Sequence, residues 1–297
     1  MPEGDTIHRA ARTLHLALAG KTITRFETVL PALARVDFDA PLRGRRIESV
    51  EARGKWCLMH FSCDLVLATH MRMHGSWHLY RPGERWRQPR RDMRVLIETQ
   101  TYVAVAFRVP VAEFHSARSL ARHPAIQALG PDLLAPDFDL AAAVRKLRAS
   151  AAPEIASVLL DQRVTAGVGN VFKSEILFQC ATSPFAAISS LTDAEVERLV
   201  ITARELLASN ACAPEGPRDA FYSGSRRTTG MMNPRARLWV YDRAGKPCRK
   251  CGTAIQVARH APGARATYWC PLCQKKAEAG MRAPGTELLE NGSRARK

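Results

Sequence analysis

The chain has 297 residues, 46% of them hydrophobic and 24% charged, the balance of a globular protein with room for two domains and a small module. No stretch approaches the ~20 consecutive apolar residues of a membrane span, and the charged start MPEGDTIHRAARTL lacks the apolar core of a signal peptide. Lys and Arg number 44 against 28 Asp and Glu, a net +16 that folding does not need; nucleic acid is the first partner to expect, ahead of a membrane surface or acidic protein, because no amphipathic helix concentrates the charge.

In chain order, residues 3–19 predict a helix, with Ile7, Ala11, Leu14 and Leu18 at helical spacing and Gly20 as its stop. From Thr22 to Phe107 the period becomes two. The runs RIESVEAR (46–53), KWCLMHF (55–61), LVLATH (65–70), SWHLY (76–80), MRVLIET (93–99) and YVAVAF (102–107) predict short strands of an antiparallel sandwich or barrel. Residues 108–152 are rich in Pro and Ala and read as a linker between halves. Helical pattern returns in PEIASVLLDQ (153–162) and NVFKSEILFQC (170–180), separated by the Gly-punctuated VTAGVG. A third helix opens with a capping box in which Thr192 is the cap and Glu195 its partner. Residues 210–237 read as irregular, 238–274 as a cysteine module, and 277–297 as a disordered tail.

Cys248, Cys251, Cys270 and Cys273 form C-x2-C…C-x2-C, a spacing that suits tetrahedral Zn²⁺. Four sulfurs leave no open position, so the metal would be structural; four reduced thiols without metal are the alternative. TAIQVA and RATYWC between the pairs look strand-like and predict a β-hairpin. The hairpin's surroundings carry Lys246, Arg249, Lys250, Arg259, Arg265, Lys275 and Lys276, part of which offsets the −2 of a tetrathiolate zinc and part of which is open to phosphate. Cys57, Cys63, Cys180 and Cys212 have no pattern and read as reduced structural thiols.

Three further signals are weaker alone. Gly167 and Gly169 allow close backbone approach, and Asn170 opens a helix whose N-terminal amides suit an anion, though an ordinary cap would look the same. Pro2, once Met1 is removed, is a secondary amine able to attack an aldehyde-like carbon, with Glu3 beside it to move protons. Lys55, after Gly54, reaches toward a phosphate or is a solvated strand lysine.

Together these features resemble the formamidopyrimidine-DNA glycosylase/endonuclease VIII family over residues 1–274: PEG at 2–4, RGK at 53–55, LLDQ…GxGN…EILF at 159–178, and the terminal cysteine module. PEG and YWCPLCQ look more like the endonuclease VIII branch. The resemblance implies an α+β multidomain fold: an N-terminal helix and antiparallel β-sandwich (1–120), a linker (121–152), a helix–two-turns–helix domain (153–237), a four-cysteine zinc finger (238–276) and a tail (277–297). It implies Pro2 as nucleophile, Glu3 as general acid/base, Lys55 on the phosphate beside the lesion, and Asn170 and Arg265 on the flanking phosphates. The loop HMRMHG (70–75) aligns with the void-filling loop, so Arg72, Met73 and His74 would occupy the gap left by an extruded base. The expected protein is a bifunctional glycosylase/AP lyase acting on oxidised bases, pyrimidines favoured, with one structural Zn²⁺. Damaged double-stranded DNA is its partner, and it works as a cytoplasmic, nucleoid-associated monomer with no membrane contact. An oxidised-purine enzyme of the same family and a non-catalytic zinc-containing DNA-binding protein are the alternatives.

Overall fold

The computed structural model describes residues 2–152, 154–211, 226–231, 233–260 and 265–274. Met1, Cys212, Lys275, Lys276, residues 261–264 and the expected tail at 277–297 lie outside the described residues. The chain divides into two units, residues 1–135 with 208–224 and residues 136–207 with 225–297, so that the last turn of the long helix at 193–211 falls in the first.

In the first unit α1 (Gly4–Leu18) buries Ile7, Ala11, Leu14 and Leu18, the stripe expected from the spacing. Eight strands follow: β1 (Ile23–Thr28), β2 (Ile47–Arg53), β3 (Trp56–Phe61), β4 (Leu65–His70), β5 (Ser76–Tyr80), β6 (Met93–Thr99), β7 (Val103–Phe107) and β8 (Val111–His115). They form two antiparallel four-stranded sheets, ordered β1-β6-β7-β5 and β2-β3-β4-β8. One core joins them: Val50, Met59 and Leu67 of one sheet, Trp77, Val95 and Ile97 of the other, and the apolar stripe of α1. Thr69 ties the sheets by accepting from Trp77 Nε1 at 3.1 Å while donating to the Cys57 carbonyl at 3.2 Å. The sandwich is therefore the observed architecture rather than a closed barrel, and α2 (Pro31–Asp39) lies between β1 and β2 in sequence. The outer face of β3 and β4 is covered by two short helices, α3 (Ala117–Ala121) and α4 (Pro124–Gln127), through Leu120 and Ile126 against Trp56, Leu58, Val66 and Ala68.

The second unit begins where a linker was expected, but this stretch is structured. α5 (Leu140–Arg148) is capped by Asp139, whose Oδ1 accepts from the Ala142 amide at 3.0 Å, and it buries Ala143 and Leu147. The next predicted helix shrinks to α6 (Ile155–Val158). α7 (Asn170–Gln179) is buried on every side from Asn170 through Phe178. α8 (Asp193–Ala211) opens with the expected capping box, Thr192 and Glu195 each bonding the other's amide. β9 (Gln256–His260) and β10 (Arg265–Trp269) pair antiparallel as the finger's hairpin. No helix among the described residues is long and apolar enough to cross a membrane.

Candidate active site and metal centre

Pro2 and Glu3 are buried at the start of α1. Glu3 is the extended residue before the helix, and its carbonyl accepts from the Thr6 and Ile7 amides at 3.0 and 3.1 Å. Glu3 thus caps α1 through its backbone. α1 packs on β2 and β3, and His15 Nδ1 accepts from the Val50 amide at 3.1 Å.

The two-residue turn between β2 and β3 carries Gly54 and Lys55. Gly54 has φ +58°, a left-handed conformation that glycine adopts without the Cβ penalty. Its amide donates to Asp132 Oδ2 at 2.6 Å, and Asp132 Oδ1 takes the Leu134 amide at 2.9 Å. Asp132 therefore braces the Lys55 turn from a segment far along the chain. The same carboxylate acts on His8 of α1, whose pKa is nevertheless lowered, chiefly by burial. His70, at the end of β4, lies with its ring 5.1 Å from that of Trp56. Burial first, then Arg72 and Lys55, push it down to about 4, so it is neutral beside Lys55.

Beyond His70 the chain turns sharply. The Gly75 amide closes the loop on the Met71 carbonyl at 2.8 Å, and a Cβ at Gly75 would come within 2.7 Å of that oxygen. Arg72, itself left-handed at φ +48°, projects with Met73 and His74 from this loop, all three exposed. Met73 is an exposed apolar side chain with no core to fill.

In the second unit, Asn170 and Arg265 belong to adjoining elements. Asn170 Nδ2 donates to the Ala266 carbonyl at 2.9 Å, next to Arg265 at the head of β10. The buried Lys173 donates from Nζ to Asn170 Oδ1 at 2.8 Å and Thr267 Oγ1 at 2.7 Å, fixing the orientation of the Asn170 amide. An amide nitrogen carries two hydrogens, so one remains beyond the Ala266 bond. Gln162 holds the preceding turn: Nε2 donates to the Val168 carbonyl at 2.9 Å, and Oε1 takes the Gly167 amide at 3.1 Å, where φ is +109°. Arg265 itself is exposed.

The four finger cysteines place their sulfurs within 4.8 Å of one another. Cys248 and Cys273 are 3.8 Å apart and Cys251 and Cys270 are 3.4 Å apart, against about 3.8 Å for sulfurs at tetrahedral Zn–S distances. Amides of Lys250 and Cys273 point at the sulfurs of Cys248 and Cys270, both at 3.4 Å, the knuckle geometry of a metal-binding C-x2-C pair. The donor set fits zinc, and four sulfurs fill the tetrahedral positions such an ion offers. Part of the basic charge around the finger is used internally. Lys250 lies over the Phe178 and Trp239 rings, and the Arg249 guanidinium caps the Leu238 and Arg235 carbonyls.

Several residues that organise these sites carry no signal of their own in the sequence. Asp132 is one. Glu175, inside the EILF run, is another: fully buried, it accepts from the Trp239, Val240 and Tyr241 amides at 2.8, 2.9 and 2.8 Å and from the Thr228 hydroxyl. Burial pushes its carboxyl up, and these four bonds pull it back. Among the scattered thiols, Cys57 and Cys180 are buried and Cys63 is exposed. Burial raises the Cys57 thiol to about 12, which makes it inert.

Three family models match the chain: the formamidopyrimidine-DNA glycosylase N-terminal domain over residues 1–119, the formamidopyrimidine-DNA glycosylase H2TH domain over 129–215, and the zinc finger found in FPG and IleRS over 245–276. The second match starts inside the stretch expected to be a linker. A Streptomyces coelicolor protein named probable endonuclease 8 2 is 41% identical over 277 residues, which cover 92% of this chain and 94% of that protein. The DNA-(apurinic or apyrimidinic site) lyase Nei2 of Mycolicibacterium smegmatis is 38% identical, over 92% of this chain and 99% of its own. Among solved structures, Lactococcus lactis Fpg in complex with abasic-site DNA has a TM-score of 0.76 at 24% identity, covering 93% of this chain and 100% of that one, a likeness of fold.

Proposed function

The chain belongs to the formamidopyrimidine-DNA glycosylase family of base-excision-repair enzymes, and on that premise we propose that it removes oxidised bases, pyrimidines before purines, and cuts the strand by β,δ-elimination. The observation that carries this reading is the buried pair Pro2–Glu3 at the head of α1, a helix packed on the two strands whose connecting turn bears Lys55. The endonuclease 8 and DNA-(apurinic or apyrimidinic site) lyase names of its relatives support the strand-cutting activity.

The chemistry follows from the residue types. Turning the damaged nucleotide out of the stack costs a few kcal/mol, less for a damaged pair. The Pro2 nitrogen, freed by removal of Met1, forms a bond to C1′ as the base leaves with the glycosidic electron pair. Glu3 supplies the proton for sugar-ring opening. The resulting iminium draws electrons from C2′, so loss of a C2′ proton expels the 3′ phosphate, and a second elimination expels the 5′ phosphate. Lys55 contacts the phosphate beside the lesion and assists this departure. Arg72, Met73 and His74 fill the gap in the duplex, while Asn170 and Arg265 hold flanking phosphates. One Zn²⁺, on Cys248, Cys251, Cys270 and Cys273, supplies structural cross-linking alone. The enzyme works as a monomer on the nucleoid.

The test is covalent. Borohydride added during reaction with abasic-site DNA traps a protein–DNA adduct that peptide mapping places on Pro2 of a chain lacking Met1, and Glu3→Gln keeps lesion binding while slowing base release. Full activity in protein that retains Met1 overturns the nucleophile assignment, because an amide lone pair is delocalised into the peptide bond. A duplex panel of 5-hydroxycytosine, thymine glycol and 8-oxoguanine reads the base preference, and faster release of 8-oxoguanine reverses it.

A further inference from the structure

We propose that Glu113, His115 and His123 form a second metal site, for a first-row divalent cation of the Zn²⁺ class, on the outer face of the β-sandwich. The Nε2 atoms of His115 and His123 each lie 3.2 Å from the same carboxylate oxygen, Glu113 Oε2, and one donor atom from each of the three residues falls within 4.8 Å of the others. Two ligand atoms bound to one ion at about 2.1 Å stand roughly 3.0–3.4 Å apart, depending on whether the geometry is octahedral or tetrahedral. The two His–Glu spacings already present are those of adjacent ligands on a common metal, with the two imidazole nitrogens within 4.8 Å of each other.

The backbone holds all three residues before any ion arrives. Glu113 and His115 alternate on one face of β8, opposite Ala68 and Val66 of β4. His115 leads directly into α3, whose Ser116–Ser119 capping box and the Ala117 amide bond to Asp64 Oδ1 at 2.8 Å pin the chain. His123 is the residue before α4, its carbonyl taking the Ile126 and Gln127 amides at 3.0 and 2.8 Å. Its ring packs edge-on against Trp56 at 5.0 Å and against His115 at 5.2 Å, so imidazole rotation is restricted.

The surroundings suit a partly open site. The histidine side chains are 16% and 14% exposed and that of Glu113 is 47% exposed, leaving the solvent side for water ligands. Ser119 Oγ sits 3.4 Å from His115 Nδ1, in place to take the Nδ1–H of a ring ligated through Nε2. His123 Nδ1 is buried without a hydrogen-bond partner among the described residues. Two imidazoles and one carboxylate select Zn²⁺, Co²⁺, Ni²⁺ or Cu²⁺ over the oxygen-seeking Mg²⁺ and Ca²⁺. Neither the zinc finger nor the residues assigned above to DNA or catalysis take part.

Cobalt is the probe that separates this site from the finger. The full chain, with its finger zinc-loaded and excess metal removed, is titrated with Co²⁺ and followed by visible and near-ultraviolet absorption together with metal analysis. The expected result is one further equivalent of Co²⁺ per chain, showing ligand-field bands without thiolate-to-cobalt charge transfer and with no zinc released. Glu113→Gln, at an exposed position, weakens that binding at least about tenfold, and the His115→Ala/His123→Ala pair abolishes it. Three results overturn the proposal: no uptake beyond the finger, uptake with thiolate bands and zinc release, or Glu113→Gln binding as tightly as the parent chain. The last would leave a hydrogen-bonded His–Glu–His cluster and no metal site.

Discussion

Replacing Glu175 with Gln is expected to destabilise the protein by about 2–4 kcal/mol. The carboxyl group meets four donors, two at each oxygen: Val240 and Tyr241 amides at Oε1, the Trp239 amide and Thr228 hydroxyl at Oε2. Gln keeps one acceptor oxygen. With its NH2 turned toward Trp239 and Thr228, the hydroxyl can rotate to accept, but the Trp239 amide then faces another donor. A buried amide left in that state costs about 1–3 kcal/mol, and the two surviving bonds weaken from charge-assisted to neutral, roughly 1 kcal/mol each. Removing a buried charge offsets part of this, since burial already raises the Glu175 carboxyl. Glu175→Ala has no such offset: three stranded amides cost on the order of 3–9 kcal/mol, comparable to the whole stability of a domain. Thermal denaturation reads the difference at about 2–4 °C per kcal/mol. Zinc release to a chelator should also quicken, because the anchored segment 239–241 leads into Cys248. If Glu175→Gln melted with the parent chain, the native carboxyl would be protonated, and a charged anchor for the finger would be refuted.

Cys270→Ser is expected to release zinc and with it most DNA affinity, while the near-ultraviolet signature of the sandwich persists; metal analysis and a binding isotherm check this, and a zinc-free variant that binds normally contradicts it. Arg265→Ala should weaken binding to damaged and undamaged duplexes alike and reduce the slope of log K against log salt by about 0.9, measured by titration across ionic strengths. Asp132→Ala removes a charged acceptor from the Gly54 amide, a bond of about 1.5–3 kcal/mol, so strand cleavage should slow with little change in DNA Kd. His70 and His78 are both held near 4 against 6.5 when unfolded, each chiefly by burial. The unfolded chain then binds more protons between those values, so stability rises with pH from about 4 to 6.5 and is lost on acidification through that window. Urea midpoints across the range measure it, and a flat profile refutes it.

The parts legible in sequence were those whose pattern is local. Strands β2 to β7 alternate or run apolar because their faces are buried, and the finger's spacing is dictated by a metal's geometry. β1 and β8 are edge strands with largely half-exposed residues, so neither shows clean alternation. α5 is short and Ala-rich beside LGPDLLAPDFD, and its cap, Asp139, is the last residue of that loop-like run. The bracing residues were hidden for another reason. Asp132 acts on Gly54 across 78 positions of sequence, and α7 is buried all round, so no polar face marks Lys173 or Glu175 as unusual.

That buried polar helix makes sense once the work of β10 is considered. On the proposed reading Arg265 grips a phosphate and has to be held still, yet it opens a five-residue strand paired to one other strand. A two-stranded hairpin is at best marginal alone in water. Three ties add to the small apolar cluster that Ile255 and Tyr268 share with Phe178, Val240 and Trp239. The cysteines close the base of the hairpin around the metal site. Lys173 and Asn170 fasten the Ala266 carbonyl and the Thr267 hydroxyl to α7, and Ser174 Oγ accepts from the Tyr268 amide at 3.4 Å. Glu175 fastens the segment that enters the finger. Asn170, Lys173, Ser174 and Glu175 are thus consecutive or one turn apart on a single helix, and a helix committed to positioning two sides of the finger has no solvent face left to be amphipathic. The cost of burying a lysine and a glutamate there is the cost of a fixed hairpin.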